Sequence, residues 1–201
     1  MSSDKHIEII AGPNGSGKTT FAESYLFGAQ RKNVFLNPDL IASGIAPGDL
    51  EKASFQAGRV LIGEVTGRLA RNESFAFEST LSGLTWARFL KQAKRQNYRI
   101  SIYFLFLKTI NQNLERIRTR VAMGGHNIPK EAVLRRQSRC FHNFWNIYRP
   151  FADDWYVFDN SSTKPVLILS NEQFSKLKDK VKERLVEEFM RGQFRGIKQK
   201  Q

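Results

Sequence analysis

Residues 12–19 read Gly12-Pro13-Asn14-Gly15-Ser16-Gly17-Lys18-Thr19, a full match to GxxxxGK[ST]. The run His6-Ile7-Glu8-Ile9-Ile10-Ala11 before it reads as a buried strand, and a helix is expected to open near Lys18. A glycine-rich loop between a strand and a helix lets backbone amides curl around phosphates. Lys18 then neutralises the outer phosphates and serves in catalysis, while Thr19 offers its hydroxyl to Mg2+. Gly12, Pro13, Asn14, Gly15, Ser16, Gly17, Lys18, Thr19 and Thr20 are therefore the expected nucleotide-binding residues, for ATP or GTP.

The rest of the chain alternates strand and helix. Further strands are expected at 34–37, stopped by Pro38, and at 74–78, 99–107, 155–158 and 166–169. The segment 99–107 is the most apolar and should be central. Helices are expected over 51–71 (with Phe55, Val60, Leu61, Val65 and Leu69 as apolar positions), from a Ser82 cap to about Gln96, over 110–123, and from Pro129 to about Tyr148. A basic amphipathic helix should follow over about 172–195. This pattern predicts an α/β fold, a P-loop NTPase three-layer sandwich with a mostly parallel central sheet. No repeat or long linker divides the 201 residues, so 1–201 reads as a single domain.

No apolar run reaches the roughly 18 residues of a membrane span, and no signal peptide is expected. Cys140 is the only cysteine, cannot form an internal disulfide, and suits a cytoplasmic protein and a packing role. The net charge of +13 is unevenly spread: residues 88–149 hold 14 basic and 2 acidic side chains. Such a block asks for an anion.

Ligands of open α/β sheets bind at the carboxyl ends of the strands. Three strands end in a carboxylate there: Asp39, Glu78 and Asp159. Any of them could be the magnesium carboxylate, and spacing does not choose. An ionised Asp near the terminal phosphate can deprotonate an acceptor hydroxyl. Asp39 suits this because its strand follows the phosphate-loop helix directly, and consecutive elements are usually neighbours. Asp159, in Asp159-Asn160-Ser161-Ser162, reads as an ordinary turn. Arg116, Arg118 and Arg120 fall on one helix and Arg135, Arg136 and Arg139 on the next, joined through Gly124-Gly125. That describes an arginine-bearing lid over about 110–148 that closes on the transferring phosphoryl group. His126 lies in its hinge.

These marks together resemble the zeta-toxin-like P-loop kinase family, in the branch often labelled predicted ATPases. They are Ala11 to Thr20, Asn37-Pro38-Asp39, Ser74 to Gly83, Gly124 to Pro129, Arg135-Arg136 and Asp159-Asn160-Ser161, from about Ile7 to Asn160. Asn127 and Gln137 stand where the family usually has Asp and an aromatic residue. The resemblance implies a kinase that phosphorylates a sugar hydroxyl, the best-known acceptor being UDP-N-acetylglucosamine, with some members acting as toxins held by an antitoxin. It implies Asp39 as base and Arg120 with Arg135 or Arg136 as phosphate clamp. Glu78 would position the acceptor, with Asn37, Ser79 and Thr80 beside it.

Two other functions compete with this one. A polynucleotide kinase would use the +13 charge, and a nucleotide-switched binding protein would transfer nothing. The expected aromatics mostly fall on strands and apolar helix faces rather than on a stacking platform, which places nucleic acid behind a small acceptor.

Overall fold

The computed structural model describes residues 5–27, 34–45, 50–125 and 127–192. Six strands form one sheet: β1 (His6–Ala11), β2 (Val34–Leu36), β3 (Phe75–Ser79), β4 (Arg99–Phe106), β5 (Asp154–Asp159) and β6 (Val166–Ser170). Their order is β2-β3-β1-β4-β5-β6. The first five strands are parallel, and β6 is antiparallel to β5. β1 and β4 hold the middle, as the apolar character of 99–107 predicts. The chain leaves β1 toward β2 and β3 on one side and then crosses to β4 on the other, which puts the topological switch at the end of β1.

The order overturns one expectation. β2 does not neighbour β1; β3 lies between them, with Leu36 opposite Phe77 and Ala11 opposite Ser79. β3 is the better wedge because Phe75, Ala76 and Phe77 are all fully buried, whereas Val34 on β2 is exposed. Glu78, not Asp39, therefore ends the strand beside the phosphate loop.

The helices are α1 (Lys18–Phe21), continued as a π-helical turn over Ala22–Phe27, α2 (Pro38–Ile45), α3 (Leu50–Ala70), α4 (Thr85–Arg95), α5 (Ile110–Ala122), α6 (Lys130–Asn143), α7 (Asn171–Ser175) and α8 (Asp179–Met190). α6 runs on as a π-helical turn over Phe144–Tyr148 and a short 3-10 turn over Arg149–Phe151. On one sheet face, Ile7, Ile9, Ile102 and Phe104 pack with Leu61, Val65 and Leu69 of α3, Phe89 and Leu90 of α4, Phe141 of α6 and Phe189 of α8. On the other, Ile10, Ala76 and Leu105 pack with Phe21 and Ala22. This is the three-layer α/β sandwich.

Local signals account for most boundaries and for the departures from expectation. On α4, Trp86, Phe89, Leu90 and Ala93 are buried at helical spacing. Its N-cap is Leu84 and not Ser82, whose hydroxyl bonds to Thr80 instead. On α3 it is Ala57, Leu61, Val65 and Leu69 that turn inward; Val60 is exposed, and the Phe55 side chain lies outside the described residues. Thr109 and Gln112 form a capping box on α5. The expected single helix over 172–195 is two helices, α7 and α8, and its last residues lie outside those described.

α2 was not expected. Asn37, Pro38 and Asp39 open it: the Asn37 side-chain oxygen accepts the backbone N–H groups of Asp39 at 2.8 Å and Leu40 at 3.2 Å. An Asn cap, Pro at the first helical position and an acid in the first turn form a helix start. No helix of the described residues is long and apolar enough to cross a membrane.

At the opposite end of the sheet, the Asp153 carboxylate accepts from Lys94 Nζ at 2.7 Å and from the Ile100 N–H at 2.8 Å. Burial pushes this carboxyl up, but Lys94 and the Ile100 amide outweigh it and hold it below its ordinary 3.8. A depressed carboxyl stabilises the fold above its ordinary value and loses that contribution as pH falls through the folded value. Asp153→Asn should lower Tm at pH 7 by about 2–4 °C, for a loss of about 1 kcal/mol. The gap to the native chain should shrink below about pH 4; thermal melts across pH check it.

Candidate functional site

The phosphate loop sits at the end of β1. Gly15 has φ 76° and Gly17 φ 85°, both in the left-handed region. A Cβ on Gly15 would stand 2.5 Å from the Asn113 carbonyl oxygen, and one on Gly17 2.5 Å from the Asn160 side-chain nitrogen. Glycine is required at both positions by conformation and by space.

Two asparagines brace the loop from outside. Asn113 Nδ2 donates to the Asn14 carbonyl, and Asn160 Nδ2 to the Ser16 carbonyl, both at 2.8 Å. Arg116 Nη2 donates to the Asn160 carbonyl at 2.8 Å. Asp159, just before, accepts from the Ser161 N–H and pairs with Lys108 at 3.2 Å, which confirms its turn role. Arg116 was expected only as a lid arginine and Asn160 only as part of the family mark Asp159-Asn160-Ser161, neither as a brace of the loop, and Asn113 was not expected in the site. Their further sequence signal was position: Asn160 follows a strand end, and Asn113, Arg116 and Arg120 lie three and four apart on one helix.

Inside the loop, Lys18 is buried. Its ammonium donates to the Pro13 carbonyl at 3.0 Å and lies 3.6 Å from Glu78 Oε1. Thr19 Oγ1 donates to Glu78 Oε2 at 2.8 Å. Asn37 Nδ2 donates to that same carboxylate oxygen and to Thr19 Oγ1, both at 3.1 Å. Glu78 is thus gathered to the phosphate side of the site, with Thr19 and Lys18. Asp39 lies farther out, where Arg120 Nη1 meets its Oδ2 at 3.1 Å.

A cavity of about 530 Å³ joins these groups. Lys18, Thr19, Thr20 and Glu78 lie along it, with Asp39, Ser79, Thr80 and Arg120 toward the β2–β3 side. Asn14, Arg116, Asn160, Ser162 and Thr163 line it toward β5. Arg135 and Arg136 do not line it. Arg135 is exposed on α6; Arg136 is half-buried and lies four residues before Cys140, on the same helical stripe. Cys140 on that stripe packs into the main core. Cys140 itself is fully buried, and burial pushes its thiol far up, so it packs and does not react. His126 lies outside the described residues.

The residues present fit a bound nucleotide with Mg2+. The glycine turns of the loop pack against Asn113 and Asn160 on their outer side, and Gly15, Gly17 and Lys18 line the cavity. The buried side-chain oxygens of Asn14 and Ser16 have no hydrogen-bond partner among the described residues. Thr19 and Glu78 supply hard oxygen donors, the kind Mg2+ takes in small number alongside phosphate oxygens.

The chain is similar to known proteins in sequence and in fold. Residues 8–143 match the AAA domain family. An uncharacterised protein of Haemophilus influenzae is 33% identical over 125 residues, covering 62% of this chain and 87% of the relative. Two solved structures share the fold at low identity. The PezAT chromosomal toxin-antitoxin system of Streptococcus pneumoniae aligns at TM-score 0.61 and 14% identity, over 96% of this chain and 87% of that one. The AvrRxo1-ORF1:-ORF2 complex with ATP aligns at TM-score 0.62 and 17% identity, over 84% of this chain. This chain spans only 59% of the length of that match. With the phosphate loop, the strand order and the matched span in agreement, the chain belongs to the AAA domain family.

Proposed function

We propose that this protein is a Mg2+-dependent phosphotransferase that moves the terminal phosphate of ATP or GTP to a hydroxyl of a small acceptor. A nucleotide sugar such as UDP-N-acetylglucosamine is the leading acceptor. The observation that carries this reading is the Asp39–Arg120 pair, 3.1 Å apart on the wall of the cavity that holds the phosphate loop. A proton acceptor and a phosphate-binding cation stand together where an acceptor hydroxyl would meet a terminal phosphate.

Each residue then has a task. The loop amides and Lys18 hold the phosphates, and Arg116 with Ser162 and Thr163 borders the end left for the base. Thr19 and Glu78 would hold Mg2+, which when bound neutralises charge on the outer phosphate oxygens. The terminal phosphates compete with Asp39 for Arg120. Once Arg120 turns to them, the Asp39 carboxylate is free to take the proton of the acceptor hydroxyl. The acceptor oxygen bonds to phosphorus as the bond to the nucleoside diphosphate breaks. Asn37, Ser79 and Thr80 border the acceptor.

α5 and α6 act as the lid of a single domain, with Arg136 the better placed of the two α6 candidates. An antitoxin partner and a cytoplasmic setting belong to the same reading; the first is supported by the fold shared with PezAT, the second by the lone buried Cys140.

The deciding experiment incubates the chain with Mg2+, labelled ATP or GTP, and a panel of nucleotide sugars, simple sugars and 5′-hydroxyl oligonucleotides. Products are identified by mass. A phosphorylated nucleotide sugar supports the reading; phosphate found only on oligonucleotides replaces it with polynucleotide kinase, and no product on any acceptor ends it.

Five variants test the roles. Lys18→Ala should weaken nucleotide binding and abolish turnover. Asp39→Asn should lower transfer by about 10²–10⁴ while nucleotide binding survives, because the loop and Lys18 are intact. Arg120→Ala should cost about 10³–10⁵ in rate, more than it costs in nucleotide affinity. Arg136→Ala should slow transfer more than Arg135→Ala. Equal rates in the last pair would leave both arginines outside the reaction.

A further inference from the structure

The turn between β3 and α4 is held in a conformation that its sequence does not favour. Leu81 has φ 53°, in the left-handed region, although it carries a bulky buried side chain. Such a residue persists there only when its surroundings hold it, and the usual setting is a functional site.

Two buried side chains from the lid helix provide the hold. Asn143, the last residue of α6, donates from Nδ2 to the Leu81 carbonyl at 2.9 Å and, at 3.4 Å, to that of Gly83. The Tyr148 hydroxyl, one turn on in the π-helical extension, donates to the Gly83 carbonyl at 2.6 Å. Burial pushes Tyr148 up to about 12, so it keeps that proton at neutral pH.

Holding the Leu81 carbonyl holds a residue whose own N–H, on the preceding peptide, reaches back to Ser79. The Leu81 N–H donates to Ser79 Oγ at 3.1 Å, and Trp86 Nε1 donates to the same oxygen at 3.0 Å. A serine hydroxyl has two lone pairs and one proton. Both lone pairs are taken by N–H donors, which leaves only the proton to offer, and Ser79 lines the cavity.

We propose that Ser79 donates a hydrogen bond to an oxygen of the acceptor, and that Asn143 is the positioning residue that sets it by holding Leu81. The proposal rests on the phosphotransferase reading above and narrows it. The acceptor carries, near its reacting hydroxyl, a second oxygen with free lone pairs: a neighbouring hydroxyl, a carbonyl or a phosphate oxygen. An amine or an apolar group at that point is refused. Because Asn143 and Tyr148 belong to the lid helix, the position of α6 is transmitted directly to the acceptor wall.

The test uses initial-rate kinetics of the full chain with MgATP and UDP-N-acetylglucosamine, or with whichever panel member is phosphorylated if that sugar is not. Ser79→Ala and Asn143→Ala should each raise the KM for the acceptor about tenfold, the worth of one lost hydrogen bond. The KM for ATP should stay within twofold. The double variant should be no worse than Ser79→Ala alone, since Asn143 acts through Ser79. Tyr148→Phe keeps the ring and serves where Asn143→Ala does not fold.

A second measurement needs no acceptor. Hydrogen exchange at the Leu81 and Ser82 amides, which donate to Ser79 Oγ and Thr80 Oγ1, should be about tenfold faster in Asn143→Ala while β4 amides are unchanged. An unchanged acceptor KM in Ser79→Ala, additive effects in the double variant, or unchanged exchange at Leu81 would each overturn the proposal. A native chain that phosphorylates no panel member fails at the earlier step, and the failure belongs to the phosphotransferase reading itself.

Discussion

The site depends on one buried carboxylate. Glu78 is 8% exposed, and a charge in that position is costly unless its oxygens are satisfied. Lys18, Thr19 and Asn37 satisfy them. Lys18 and Thr19 open α1 after the phosphate loop and Asn37 follows β2, so one group ties the start of α1 and the end of β2 to β3. Asn37 carries the constraint onward. Its nitrogen serves Glu78 and its oxygen caps α2, so the turn that begins α2 starts at a fixed place and presents Asp39 to Arg120. A single buried charge thereby sets the separation between the phosphate end of the cavity and its acceptor end.

The opposite side of the loop is governed by neutral donors. Carbonyl oxygens would repel a phosphate, and the side chains of Asn113 and Asn160 turn those of Asn14 and Ser16 outward. Arg116 holds the Asn160 peptide and stands one helical turn from Arg120. α5 therefore carries, on one face, a brace for the loop in Asn113 and two cations, Arg116 and Arg120, that line the cavity. A shift of this helix would alter all three together, as the proposed lid role needs.

How much of this could be read from the residues depended on how local the signal was. The phosphate loop was fully legible, because its backbone conformation is written in its glycines. The strand ends were legible as places for carboxylates. The roles of those carboxylates were not, because they turn on strand order, and β3 rather than β2 lies beside β1 through burial that no neighbouring-element rule captures. The bracing roles of Asn113 and Asn160 were invisible for the same reason: each bonds to a carbonyl about a hundred or more residues away. The α2 start was a different failure. Asn37-Pro38-Asp39 carries every local mark of a helix N-terminus, and the proline was read as the end of a strand instead of the first residue of a helix.

The basic block of residues 88–149 reads differently once its partners are known. Lys94 pairs with Asp153, Arg99 with Asp154, Lys108 with Asp159 and Arg120 with Asp39, all acids from outside the block. Arg116 is held by a backbone carbonyl beside the phosphate loop. Four of the block's 14 cations are thus answered by acids elsewhere in the fold, which lowers the demand for an external polyanion. Of the remaining cations, Arg135 and Arg139 are exposed on α6, on the side away from the Cys140 stripe. A polynucleotide substrate would need a continuous basic track leading into the cavity. The cations that border this cavity, Lys18, Arg116 and Arg120, suffice for one nucleotide's phosphates. The charge distribution therefore fits the proposed small acceptor better than a polynucleotide.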